Sequence, residues 1–274
     1  MIIRNINNSL PIIISIPHSG TNYSRDFLKN ILLSKKELEY SEDNYVDKIL
    51  DKTLNNNFSF VKAKFPRSFI DVNRHPLEID PLMLSSPIPK FSQANSIKTR
   101  NGIGVIHKVS SNGNEIYDRL LTRREVIKRL LSHYFPYHKS LKMLIKKTKK
   151  NYKDILVLDF HSMPSNFLDN NIDIVLGNNY NLSSNKIFSS KIIKYFNINQ
   201  YSLSINNPYS GGYITKYYGN PLDGVNVLQI EINRSLYMNE KTLKLLDNKM
   251  DLLSNNLCII IKNLCKELIK YNKI

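Results

Sequence analysis

Ile12, Ile13, Ile14 and Ile16 form an apolar run without polar alternation. That pattern predicts a strand covered on both faces, as in the middle of an α/β sheet. "DILVLDFHSMPS" (154–165) predicts the clearest buried strand of the chain, "IDIVLG" (172–177) a short one and "VNVLQIEINR" (225–234) a last one. "FSFVKAKF" (58–65) alternates as a strand, "SFIDVN" (68–73) predicts a second with polar residues at its far end, and "IGVIHKV" with "SSNGNEIY" (103–117) predicts a strand and hairpin turning on Asn-Gly.

Between these strands the period changes to that of helices. Residues 24–33 have helical spacing with Ser24 as N-cap, "SKKE" (34–37) reads as a capping box, and 43–54 places Val46, Ile49, Leu50 and Leu54 on one stripe. A long amphipathic helix is predicted from Thr122 to Lys150, another over 184–196 and a terminal one over 239–270. Residues 75–100 are proline-punctuated and aperiodic, and 207–219 read as a glycine-bearing loop. Strands alternating with helices predict an α/β fold, a three-layer α/β/α sandwich. No linker or repeat divides the chain, so residues 1–274 are expected to form a single domain.

The predicted strands end in residues able to do chemistry. The first ends in His18, "SFIDVNR" in Asp71, Asn73 and Arg74, "ILVLDFHS" in Asp159 and His161, and the last in Glu231. Each alone has a plain structural explanation: a histidine satisfied by a carbonyl, Asp71 paired with Arg74, Glu231 paired with Arg234. Together they point to one crevice, because the carboxyl ends of strands in an open α/β sheet converge on the ligand site. Two histidines and a carboxylate suit a catalytic zinc site, and a further carboxylate can serve as general base for its water. Asp159 lies two before His161 and points to the same side of a strand, so it can orient the imidazole. An arginine beside an asparagine offers donors to a substrate carboxylate.

Composition adds less. The formal charge of +16 raises nucleic acid as a partner, but Lys, Asn and Ile are abundant throughout, and the densest basic run, "KKTKK" (146–150), closes a predicted helix where cations suit the dipole. Nucleic-acid binding is therefore not expected, although a basic field can still draw in a small dianionic substrate. Cys258 and Cys265 sit two helical turns apart, too far for a disulfide, and read as core residues of a reduced compartment. With no cleavable leader or membrane-length apolar run, the chain is expected to be cytoplasmic, away from the membrane. Oligomeric state is not legible.

From about Pro11 to Met238 the chain resembles the N-formylglutamate amidohydrolases (deformylases) of histidine degradation. The resemblance rests on "PHSG" (17–20), "DNYVD" (43–47), "RSFIDVNR" (67–74), "FPYH" (135–138), "DFHSMP" (159–164), "GGYITKYYG" (211–219) and "LQIEINRSLYM" (228–238). It implies one catalytic domain with the fold of the zinc carboxypeptidases, built on a mixed central sheet, and a hydrolase using Zn²⁺ or another divalent metal. It also implies that His18 and His161 are ligands, with Asp43 as the third. Glu42 and Asp47 are the rivals for that position, and helical spacing alone does not separate Asp43 from Asp47. By the same resemblance Glu231 is the general base. Arg67, Asn73 and Arg74 anchor the substrate carboxylates, or one of them polarises the formyl oxygen. Gly211 and Gly212 before Tyr213 line the substrate, and Asp71 and Asp159 support the ligands from behind. His138 stays outside the catalytic set. The segment "LEIDPLMLSSPIPKFSQANSIKTRNG" (77–102) has no counterpart in the family pattern, which leaves the acyl group and amino acid less determined than the chemistry.

Overall fold

A computed structural model describes residues 2–5, 10–87, 95–167 and 172–273. The strands are β1 (Ile2–Asn5), β2 (Ile12–Ile16), β3 (Ser59–Ala63), β4 (Ile155–Met163), β5 (Ile174–Gly177), β6 (Leu203–Ile205) and β7 (Val225–Asn233). They form one sheet in the order β1-β3-β2-β4-β7-β5-β6, while Met238–Asn239 and Lys244–Leu245 pair as a separate small ribbon, β8 and β9. β2, β4 and β7 run parallel, and β5 is antiparallel to β7, so the sheet is mixed and the α/β class holds. Every residue of β2, β4, β5 and β7 is buried, which is why their sequences do not alternate.

The helices are α1 (Arg25–Leu28), α2 (Lys35–Glu39), α3 (Val46–Ile49), α4 (Asp51–Leu54), α5 (Ile97–Arg100), α6 (Arg123–Arg129), α7 (Phe135–Lys149), α8 (Lys186–Ile198), α9 (Tyr213–Tyr218) and α10 (Asp247–Tyr271). Ser24 caps α1, and Ser34 with Glu37 forms the expected box at α2. The long predicted helix starts at a second box, Thr122 with Glu125, and runs through α6 and α7 with one π turn over Leu130–Tyr134. Pro136 has no N–H to donate and crowds the carbonyl one turn back, and the wider turn, closed by Phe135 N–H on Leu130 O, absorbs that.

The chain divides into two compact units. The larger comprises Arg4–Ile16, Tyr45–Val61 and Leu141–Ile274. Its core joins one face of the sheet (Ile14, Leu156, Leu158, Phe160, Leu228, Ile230) to α3, α4, α8 and α10, with Val46, Ile49, Leu50 and Leu54 all buried there as their stripe predicts. Cys258 and Cys265 are buried on α10 as free thiols. The other unit, chiefly Pro17–Asn44 and Lys62–Ser140, has a small core of Phe27, Leu38 and Ile116. Beside it the Arg129 guanidinium lies 4.4 Å from the Phe69 ring centroid and donates to Tyr117 Oη at 2.6 Å.

Four expectations change. "SFIDVN" is not a strand but a chain of turns: the Asp71 carboxylate takes the Asn73 N–H at 2.7 Å and so replaces a ladder bond with a local one. The region 103–117 makes only isolated bridges, Ile103 with His107 and Val109 with Glu115, although Gly113 does turn the chain with φ 81°. The loop at 207–219 contains α9. The terminal helix starts at Asp247 rather than 239, because Met238–Leu245 forms the ribbon. Within 75–100, residues 88–94 lie outside the described residues. Among the described residues no helix is long and apolar enough to cross a membrane.

Candidate metal centre and active site

The parallel ladder of β4 and β7 sets His161 opposite Glu231 and, one pleat earlier, Asp159 opposite Gln229. In a parallel pair such partners project from the same face. The ladder of β2 and β4 adds Ser15 opposite Asp159. Two polar rows result, both closed off from solvent: Ser15, Asp159 and Gln229 behind, His161 and Glu231 in front. Ser15 Oγ donates to Asp159 Oδ1 at 2.6 Å, and Asp159 Oδ2 lies 3.0 Å from His161 Nε2. Asp159 therefore fixes the imidazole plane and leaves Nδ1 for another partner, as the two-residue spacing predicts.

His18 follows β2 directly, and its carbonyl accepts the Asp43 N–H at 3.1 Å, which holds the two residues together through the backbone. Tyr45 has left-handed φ (66°) and occupies the N-cap of α3 without a side-chain capping bond; Asp43 lies upstream of the helix and is 1% exposed. His18, Asp43 and His161 each offer a ligand atom within 4.8 Å of the other two. Glu42 is occupied elsewhere. Its carboxylate accepts Arg67 N–H (2.7 Å), Ser68 N–H (3.3 Å), Ser68 Oγ (2.8 Å) and Tyr23 Oη (3.3 Å), and burial pushes it up to about 7 against the pull of Ser68 and Arg67. Asp47 is half-buried on α3 and is not one of the clustered donors.

The donor set fits a divalent metal. His18 Nδ1 and Asp43 Oδ2 are 3.4 Å apart, close to the roughly 3.3 Å edge of a tetrahedron with ~2.0–2.1 Å bonds. His18 Nε2, facing the other way, lies 2.7 Å from Asp71 Oδ1. Each histidine thus has one nitrogen held by a buried carboxylate, the arrangement that fixes the tautomer of metal-binding imidazoles.

Asp71 gathers a cationic cluster. Besides His18 and the Asn73 N–H it receives Arg67 Nη2 at 3.1 Å and His107 Nε2 at 3.2 Å, with Arg74 Nη2 at 3.9 Å. Burial would raise this carboxyl, but His18, Arg74 and Arg67, with the His107 hydrogen bond, hold it well below the usual carboxylate range. Burial brings His107 down to about 4, so it sits beside Asp71 as the neutral imidazole. Sequence reasoning missed His107, whose only signal was one histidine in "IGVIHKV". Arg67 Nη1 also lies 3.7 Å from Asp43, and its buried Nε has no hydrogen-bond partner among the described residues. Arg74 is tied down by the carbonyls of Ile103 and Asn73, and His138 by the carbonyl of Val72.

In the larger unit, Gly211 has φ 123°, and a Cβ there would meet Thr215 Cγ2 at 2.7 Å. The next residue, Gly212, caps α9 and gives its N–H to Gln229 Oε1 at 2.7 Å; Gln229 Nε2 donates to Glu231 Oε1 at 2.7 Å. The Gly212 amide, expected to face substrate, is thus used inside the protein. Tyr213 opens α9 and stacks on Tyr217, ring centroids 5.1 Å apart. Arg234 donates through Nε to Ser162 Oγ at 3.1 Å.

Residues 10–238, which include all of these positions, match the model of the N-formylglutamate amidohydrolase family. The chain belongs to this family. Among its relatives are the N-formylglutamate deformylases of Pseudomonas putida (26% identical, covering 84% of this chain and 83% of the relative) and Pseudomonas aeruginosa (24%, covering 85% and 84%). A solved N-formylglutamate amidohydrolase from Ralstonia eutropha JMP134 superposes over 98% of both chains at TM-score 0.91 and 29% identity. The Agrobacterium tumefaciens protein Atu2144, 14% identical at TM-score 0.70, shares the fold.

Proposed function

We propose that the chain is a metal-dependent amidohydrolase that hydrolyses N-formyl-L-glutamate to formate and L-glutamate, residues 1–274 acting as one catalytic domain. The observation that carries this reading is the buried His18, Asp43 and His161 cluster with Glu231 in register beside His161. Membership of the family supports the substrate. Zn²⁺ is the first choice of metal, and other divalent ions suit the same donors. Bound by these three residues, the metal supplies Lewis-acid polarisation of the amide carbonyl and a lowered pKa for the attacking water.

The protein's own groups do the rest. Glu231 takes a proton from the water as its oxygen bonds to the formyl carbon, then returns that proton to the nitrogen as the C–N bond breaks. The water oxygen leaves in formate and the nitrogen in glutamate. Asp71 and Asp159 keep His18 and His161 oriented. Arg67, Asn73 and Arg74 hold the acidic substrate; the unpartnered Arg67 Nε supports a further acceptor there. Gly211 and Tyr213 border the substrate at the start of α9.

The test is formate and glutamate release from N-formyl-L-glutamate beside N-acetyl-L-glutamate and N-formyl-L-leucine. Stoichiometric release of both products, strongest on the first compound, supports the reading. Turnover of another N-acyl amino acid instead would keep the amidohydrolase and replace the substrate. No turnover of any of the three overturns the proposal.

A further inference from the structure

The reactive row of the sheet has a supporting row behind it, and both strands use it alike. On β4, Asp159 reaches forward two residues to His161; on β7, Gln229 reaches forward two residues to Glu231, in register with the first pair. Only the chemistry of the supporting side chain differs. Asp159 meets an imidazole, which can donate. Gln229 meets a carboxylate on one side and the Gly212 N–H on the other, and is 4% exposed, so it must donate to the first and accept from the second. A neutral amide does both. Glutamate would set two carboxylates against each other, and lysine would leave the Gly212 N–H facing a cation.

We propose that Gln229 is a positioning residue for the reaction, holding the Glu231 carboxylate in its working orientation and joining it to the Gly211–Gly212 turn that starts α9. This rests on the reading of Glu231 as the base. A hydrogen bond to a buried ionised group is strong, and loss of such supporting contacts costs active sites about 10- to 100-fold. Gln229 acts through Glu231 and the Gly212 N–H, so its loss falls on kcat and leaves KM nearly unchanged.

The experiment compares Gln229→Met, which keeps length and loses both hydrogen bonds, with Gln229→Glu, which keeps the acceptor for Gly212 N–H and loses the donor to Glu231. Formate release from N-formyl-L-glutamate is measured for both, for the wild type and for Glu231→Gln, with thermal unfolding to establish folding and a crystal structure of Gln229→Met. The expected result is kcat reduced about 10- to 100-fold in both variants, KM within about threefold of wild type, and the Glu231 carboxylate displaced or in several orientations. A kcat within threefold of wild type in either folded variant, or an unmoved Glu231 carboxylate, overturns the proposal. Full turnover by Glu231→Gln removes the base itself, and the role of Gln229 with it. If the wild type releases no formate, the substrate reading fails on its own and the position of the Glu231 carboxylate decides the role of Gln229.

Discussion

His161 on β4 and Glu231 on β7 stand opposite one another in a parallel ladder, the seventh residue of each nine-residue strand. The proposed metal ligand and the proposed proton acceptor are thereby placed on one face by backbone hydrogen bonds alone. Side-chain rotation then sets only the last ångström.

Asp159→Asn should weaken the metal site without unfolding the protein. The asparagine keeps size and still accepts from Ser15, but it no longer stabilises the donating imidazole. Metal affinity is expected to fall about 10- to 100-fold, read by competition with a chelator whose own affinity is known. His161→Ala should remove stoichiometric binding altogether.

Gly211→Ala should be costly and Gly113→Ala much less so. Both glycines have positive φ, but a Cβ at 211 meets Thr215 Cγ2 at 2.7 Å whereas one at 113 meets nothing within 4 Å among the described residues. Strain plus overpacking should cost about 2 kcal/mol or more at 211 and strain alone about 1 kcal/mol at 113, measured by denaturant unfolding.

The capping box at Thr122 gives stability with a defined pH sign. Arg119 and Thr122 bring the Glu125 carboxyl down to about 2. A carboxyl lowered on folding contributes fully above its unfolded pKa near ~4.3 and loses that contribution as pH falls through the folded value. Glu125→Gln should thus cost about 0.5–1 kcal/mol at pH 7, and the gap from wild type should close between about pH 4 and pH 2.

Both thiols should resist reagents in the folded protein. Cys265 is 3% exposed and burial pushes its thiol up to about 12, so little thiolate forms at pH 8; Cys258 is 8% exposed on the same helix. Ellman's reagent should titrate neither in native buffer within minutes and both in guanidinium chloride.

Much of this site is visible in the sequence because it hangs on continuous apolar strands. Ile12–Ile16, Ile155–Met163 and Val225–Asn233 announce themselves, with His18 just beyond the first and His161 and Glu231 in the last third of the other two. Asp159 was legible as well, from its two-residue spacing to His161. The same spacing links Gln229 to Glu231 and could have exposed Gln229; an uncharged amide simply draws less notice. His107 carried no such signal, since its partner Asp71 lies 36 residues away. Asp71 misled for a related reason. "SFIDVN" has every mark of a strand, yet Ser68, Ile70, Asp71 and Val72 are buried in turns, where the Asp71 carboxylate replaces a neighbouring strand as acceptor. A side chain that caps its own backbone is invisible to periodicity.

The most direct test of the metal centre and its base is formate release from N-formyl-L-glutamate by protein stripped of metal and titrated with Zn²⁺, wild type beside Glu231→Gln. Stripped wild type is expected to be inactive and to recover fully at about one equivalent, while Glu231→Gln binds the same equivalent and stays at least ~10²-fold slower. Undiminished turnover by the stripped protein, or Glu231→Gln turning over within tenfold of wild type, would contradict this expectation.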